Sequence, residues 1–331
     1  MASLSPSFSV IITAYNIEEY IETAIRSAIR QTYPPSEVIV VDDGSTDSTY
    51  SVAEHILKNE PEWKVIKQEN KGPGGARNTG IIQASGDYIV FLDGDDWLVD
   101  SALEIFSKEA QYRPDAIFTN RKWFMEETKE YKSDNIFSKN SRGKIAPGRE
   151  LIRRFAVPGK SFRRDFLLER DILFPEKMAW EDYPFSYQVL ANSEAITVAT
   201  DITYVARKRH GSNSSLTQKQ RLADFFISSR FRQIDMDLDI IYNSKICNVF
   251  KNFNFYKVEF DNRLIKDIAY LEKESDDRIV LNALRQYQEY IKKNKDVIFG
   301  NVSPSVREIY QAILDNDLTA CRAAIRQHKT M

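Results

Sequence analysis

The stretch Tyr88-Ile-Val-Phe-Leu-Asp-Gly-Asp-Asp-Trp97 decides how the chain is read, because an apolar run ends in three carboxylates within four positions. Tyr88 to Leu92 is rich in β-branched and aromatic residues and follows the turn pair Gly86-Asp87. It reads as a buried strand, with the carboxylates just past its C-terminal edge. In open α/β sheets, ligands bind at that edge. Asp93, Asp95 and Asp96 repel one another in a shared site, so a divalent cation or full hydration is the least costly way to keep them ionised. Taken alone, an Asp-rich turn that caps the next helix explains the same residues. The flanking stretches decide between the two.

Upstream, Phe8 to Ala14 reads as a buried strand, after which Asn16 and Glu19 have the spacing of a capping box. Ile17, Tyr20, Ile21, Ala24, Ile25, Ala28 and Ile29 recur at three- and four-residue steps, giving a helix one apolar face. Pro34-Pro35 ends it. Glu37 to Val41 reads as the next strand and runs into Asp42-Asp43-Gly44-Ser45-Thr46-Asp47, where Asp47 or Ser48 caps a second helix. Trp63 to Gln68 reads as a third strand, followed by a glycine-rich loop, Asn70 to Asn78, and a short helix through Ile81 and Ile82. The loop is neither a dinucleotide fingerprint nor a Walker A sequence. Gly72, Gly74 and Gly75 would let backbone approach a ligand, and Lys71 with Arg77 could meet an anion. Strands alternating with helices imply a parallel sheet.

Downstream, the pattern predicts a helix from about Leu98 to Gln111, a strand at Ala116 to Thr119 and a hairpin or loop insertion from Lys122 to Ser141. Arg142, Lys144, Arg149, Arg153, Arg154, Lys160, Arg163 and Arg164 then outnumber the acids around them. This cluster reads as a solvated face, with contact to a phosphorylated acceptor or an anionic membrane surface as the functional alternative. Met178 to Phe185 opens a helix ending near Asn192, and short strands follow at Ala195 to Ala199 and Ile202 to Ala206. From about Gln218 helical spacing takes over, so we divide the chain into residues 1–217 and a mostly helical region 218–331.

The 331 residues are 42% hydrophobic and 28% charged, enough to bury a sizeable core. A net charge of −2 supplies no general field for a polyanion, so no nucleic-acid partner is expected. Cys247 and Cys321 are the two cysteines, without metal spacing or a disulfide framework. With no signal-like N-terminus and no apolar run of about 18 residues, the expected location is cytoplasmic, with peripheral contact at the inner membrane face left open.

Together these stretches resemble a family 2 glycosyltransferase with the GT-A nucleotide-sugar fold. The matching motifs are Val10-Ile-Ile-Thr-Ala-Tyr-Asn16, Val40-Val-Asp-Asp-Gly-Ser-Thr-Asp47, Asn70-Lys-Gly-Pro-Gly-Gly-Ala-Arg-Asn78, Phe91-Leu-Asp-Gly-Asp-Asp-Trp97 and Trp180-Glu-Asp-Tyr-Pro-Phe185. The resemblance implies an α/β fold with a mostly parallel, Rossmann-like sheet flanked by helices. It also implies an inverting hexosyl- or N-acetylhexosaminyltransferase that uses a nucleoside-diphosphate sugar, most readily a UDP-sugar. The implied acceptor is a carbohydrate or lipid-linked glycan, and the setting is bacterial-type polysaccharide or capsule assembly.

Residue by residue, the resemblance puts Thr13, Ala14 and Tyr15 at the nucleobase, with Asp43 or Asp42 accepting a hydrogen bond from the uracil. Lys71, Gly72 and Arg77 would lie near base or phosphates. Asp93 and Gly94 would border the ribose or sugar, and Asp95, with Asp93, would hold Mn²⁺ or Mg²⁺; an imidazole ligand favours Mn²⁺. Asp182 would be the general base and Glu181 would orient acceptor or donor. Without the other motifs, this acidic pair is explained as charge at a helix N-terminus. Arg207 and His210, in Tyr204-x-x-Arg207-x-x-His210 before Ser212 and Ser214, resemble the loop that closes over the diphosphate, with His210 meeting phosphate or metal. The helical region is open to acceptor, membrane or a second subunit in a homo-oligomer. A polymerase palm, suggested by Gly94-Asp95-Asp96, conflicts with the preceding strand-helix alternation, and Trp97 spoils a calcium loop. A GT-A-like module without catalysis is the remaining alternative.

Overall fold

The computed structural model describes residues 5–58, 62–143, 151, 156–210, 222–244 and 254–330. The chain divides into two compact units, Met1–Lys177 with Glu181–Ser214, and Met178–Trp180 with Ser215–Met331.

The first unit begins β1 (Phe8–Ala14), α1 (Ile21–Ile29), β2 (Glu37–Asp42), α2 (Thr49–Leu57), β3 (Lys64–Lys67), α3 (Gly72–Gln83) and β4 (Tyr88–Asp93). These strands pair in parallel in the order β3-β2-β1-β4. β1 and β2 are covered on both faces, which is why they read as continuous apolar runs rather than alternating ones. Ile21, Ala24, Ile25 and Ala28 of α1 share one core with Val10, Ile12, Val38 and Val40.

Beyond β4 the sheet becomes mixed. β5 (Trp97–Leu98), α4 (Ala102–Ala110), β6 (Ala116–Met125), β7 (Glu130–Asp134), β8 (Lys160–Arg163), α5 (Arg164–Glu169), α6 (Asp182–Asn192) and β9 (Ile196–Lys208) follow. β8 lies antiparallel between β4 and β6, β9 runs parallel to β6, and β5 closes the edge antiparallel to β9. β6 and β7 form the hairpin expected after Lys122.

Four local expectations change. Asn16 does not cap α1: its φ is +49° and its Oδ1 accepts from the Thr46 N–H at 2.8 Å, because it ties the β1 loop to the β2 loop. The glycine-rich stretch is not a loop but the first turns of α3, whose glycines permit close packing. The two short strands expected after Asn192 are one strand, β9, interrupted by a register shift near Asn120. The basic cluster is not one solvated face: Lys160 is 1% exposed, Arg163 pairs with Asp115 and Arg142 with Glu109. Lys144, Arg149, Arg153 and Arg154 lie outside the described residues, as do Ser212, Ser214 and Cys247.

The second unit is helical, with Asp224–Tyr242, Asp277–Lys293, Lys295–Asn301, Pro304–Leu314 and Leu318–Thr330 among its helices and a π-helical turn at Val258–Leu264. Its own core includes Ile234, Leu264, Ile268, Leu284, Tyr287, Ile309 and Ile313. Among the described residues no helix is long and apolar enough to cross a membrane.

Candidate active site

The parallel register sets Ala14 opposite Asp42 and Thr13 opposite Asp93, so the C-terminal ends of β1, β2 and β4 lie level. The Gly94 N–H donates to the Thr13 carbonyl at 2.9 Å, and a Cβ at Gly94 would fall 2.3 Å from Ile17 Cδ1 and 2.8 Å from that carbonyl. Only glycine allows the chain to turn so close to β1. The Asp96 N–H closes the turn on the Asp93 carbonyl at 3.0 Å.

β5 then pairs with β9, Trp97 opposite Val205, and this carries the end of β9 to the acidic turn. The Tyr204 hydroxyl donates to Asp96 Oδ2 at 2.7 Å and accepts from the Asp93 N–H at 3.1 Å. The Arg207 N–H donates to Asp96 Oδ1 at 2.7 Å, and Arg207 Nε to the Asp95 carbonyl at 2.9 Å. Arg209 forms an ion pair with Asp95 at 2.6 Å, both side chains largely buried. Burial, with the charges of Asp95 and Asp93, pushes the Asp96 carboxyl well above the usual range. Burial also raises Asp95, against Arg209 and with the Asp93 charge.

The opposite wall is built by α3. Gly74 permits it: a Cβ there would lie 2.4 Å from the Pro175 carbonyl oxygen and 3.3 Å from Glu181 Cγ. Asn78 fastens the same segment, its amide group donating to the Phe174 carbonyl and accepting from the Phe174 N–H, both at 2.9 Å. Between these fixings Arg77, 4% exposed, donates to Glu181 at 2.6 Å, Asp182 at 3.0 Å and Asp93 at 2.8 Å. One guanidinium thus joins the acidic turn of β4 to the start of α6. Burial and the Asp182 charge push Glu181 up to about 7 against Arg77. Burial raises Asp182 as well, opposed by Arg77 and by the Val157 N–H, which donates to Asp182 Oδ2 at 3.3 Å.

At the other end of the strand edge, Tyr15 stands 48% exposed beside buried Ala14. Asp43 Oδ1 accepts from Gln68 Nε2 at 2.7 Å and the Lys71 N–H at 2.9 Å, drawing Lys71 and Gly72 to this edge. Asp42 is fully buried; one carboxylate oxygen accepts from the Ser45 N–H at 3.3 Å, and the other has no protein partner.

The structure therefore brings Thr13, Ala14, Asp42, Asp43, Asp93, Gly94, Asp95, Glu181 and Asp182 to one edge. Arg77 is engaged by three carboxylates, because the fold leaves it buried among them. The N–H of His210 donates to Glu126 and its imidazole lies 3.5 Å from Glu127, both on the β6–β7 turn. Sequence reasoning missed Tyr204, Asn78 and Lys160 as site residues. Lys160 left a trace, since it shares one face of β8 with buried Phe162, and Asn78 and Tyr204 lay inside quoted motifs without a role of their own.

Comparison with known proteins gives this geometry its context. A model of glycosyl transferase family 2 matches residues 9–171. The chain is 29% identical to the poly(ribitol-phosphate) beta-N-acetylglucosaminyltransferase TarS of Staphylococcus aureus, over 91% of this chain and 56% of that protein. It is 37% identical to the GalNAc(5)-diNAcBac-PP-undecaprenol beta-1,3-glucosyltransferase of Campylobacter jejuni, over 35% of this chain and 38% of that protein. The chain thus spans about half the length of the first of these relatives. The crystal structure of S. aureus TarS 1-349 in complex with UDP-GlcNAc matches with a TM-score of 0.73 at 22% identity, covering 98% of this chain and 92% of that one. The matched domain and the order of its motifs place residues 9–171 in glycosyl transferase family 2, and the chain shares the GT-A fold of the TarS structure.

Proposed function

We propose that the chain moves a sugar, with inversion, from a UDP-sugar to a hydroxyl of a carbohydrate or lipid-linked acceptor in cell-surface glycan assembly. The observation that carries this reading is the Arg77 bridge, which fixes Asp182 in reach of the same strand edge as Asp93 and Asp95. A sugar hydroxyl is a weak nucleophile, so a carboxylate must take its proton as it attacks the anomeric carbon; Asp182 fits that role, and Glu181 orients beside it. The UDP-GlcNAc complex of TarS supports the donor class, and the names of the relatives support polymeric or lipid-linked acceptors.

The residues also fit a divalent cation. Asp93 and Asp95 bring hard oxygen donors to the turn, each sharing its carboxylate with one guanidinium, Arg77 and Arg209 respectively. Among the described residues no three His, Cys, Asp or Glu side chains gather to hold a metal unaided. Mg²⁺ or Mn²⁺ would then be held by Asp95 and Asp93 together with a substrate diphosphate. Such an ion would offset charge on the departing nucleoside diphosphate.

The test is a thermal-shift and turnover screen of UDP-, GDP-, CDP- and dTDP-sugars with and without Mn²⁺. We expect a UDP-sugar to raise the midpoint of wild type only with metal, Asp95→Ala to lose that effect, and Asp182→Asn to keep it while losing about 10²–10⁴ in turnover. Near wild-type turnover by Asp182→Asn removes it from the role. A shift by another nucleotide replaces the donor, and no shift or turnover with any donor and acceptor leaves a binding module.

A further inference from the structure

Lys160 opens β8 with its side chain 1% exposed, an unusual place for an ammonium group. Its Nζ lies 3.4 Å from Ser186 Oγ and 4.4 Å from the centroid of the Phe118 ring, and both residues are buried. Ser186 stands one turn beyond Asp182 on α6, so the two share a helix face. The turn entering β8 also reaches Asp182: the Val157 N–H donates to its Oδ2, and Gly159, at φ +77°, lets the chain fold back into the strand. The segment 157–160 therefore meets the first two turns of α6 twice, once through a backbone donor and once through an ammonium.

The charges around Asp182 explain what that ammonium does. Arg77 is the guanidinium at hydrogen-bond distance, and it is divided among Asp182, Glu181 and Asp93. Glu181 from the segment before α6 and Asp93 from β4 are its carboxyl neighbours. Arg77 from α3 and Lys160 from β8 are cations that act on Asp182. One cation does not balance three carboxylates out of water.

We propose that Lys160 is a positioning residue for the acceptor-activating carboxylate: seated on Ser186 and Phe118, its ammonium keeps Asp182 an anion held between Arg77 and Val157. This rests on Asp182 being the general base. Burial drives the Asp182 carboxyl upward, and Lys160 is among the groups that oppose it.

The experiment compares pH profiles of kcat and kcat/KM for wild type, Lys160→Met, Ser186→Ala and Asp182→Asn, with UDP-sugar binding and thermal midpoint as controls for folding. Removing a cation raises a carboxyl pKa, and a base must be deprotonated. The acid limb of Lys160→Met should therefore move up by about one pH unit, giving roughly tenfold loss below the limb and recovery towards wild type above it. KM for the donor should stay within about twofold, and Ser186→Ala should shift the limb the same way by less. A uniform loss at all pH values, or an unshifted limb in whichever of the two variants folds, overturns the proposal. If Asp182→Asn itself retains turnover, the base assignment has failed instead, so the two failures separate.

Discussion

At the scale of the residue, Arg77 sets the behaviour of the site. Without it buried Glu181 would lose its guanidinium and Asp182 would keep only the Val157 N–H and the Lys160 charge, and breaking a buried pair by removing one partner costs about 3–5 kcal/mol. Arg77→Met is expected to lower stability by about that amount in urea titration, and to abolish turnover because Asp93 and Asp182 are no longer held together. Arg77→Lys should restore little: a point charge on a flexible stem does not reproduce a planar fork bonded to three acceptors. Equal stability and activity of Arg77→Lys and wild type would show that charge alone matters there. The identity of Arg77 as a site residue was legible in Gly74-Gly-Ala-Arg-Asn78, but its partners were not. Glu181 and Asp182 lie more than a hundred positions away and meet it only through packing.

At the scale of the element, α3 shows why glycine recurs where no left-handed turn requires it. Gly74 sits in helix with the Pro175 carbonyl where its Cβ would be, and that carbonyl belongs to the segment leading to Glu181. Gly74→Ala must push the segment outward against the Asn78 clamp on Phe174. We expect a cost of about 1–3 kcal/mol, in the range of overpacking. We also expect at least a tenfold fall in kcat, since Glu181 and Asp182 move with the segment. A variant with a lower urea midpoint but unchanged kcat would show that the displacement is absorbed before Glu181. The helix itself was partly hidden from sequence reading because four glycines and prolines in succession argue for a loop; packing against Phe174, Pro175 and Glu181 overrides that propensity.

At the scale of the whole molecule, the buried acids make stability depend on pH in an uncommon direction. Glu181 is pushed up to about 7 from an ordinary value near 4.5, so the folded state binds its proton more tightly than the unfolded chain. Its contribution is complete below about 4.5 and is lost as pH rises through about 7. The midpoint of thermal unfolding should therefore fall across that interval, and Glu181→Gln should flatten the fall; an unchanged slope in the variant would assign it to other groups. The amino-acid sequence by itself determined the alternation of strand and helix, the strand-end placement of the acidic stretch and the helical character of residues beyond about 218. Each of these is written in local periodicity and in the order of short motifs. Only the tertiary structure decided that Tyr204 anchors Asp96, that Arg77 joins β4 to α6, and that Lys160 is buried beside α6 rather than solvated. Those contacts span 16 to 108 positions along the chain. The physical reason is that a charged residue looks alike in sequence whether its partner is water or a distant side chain, and packing makes that choice.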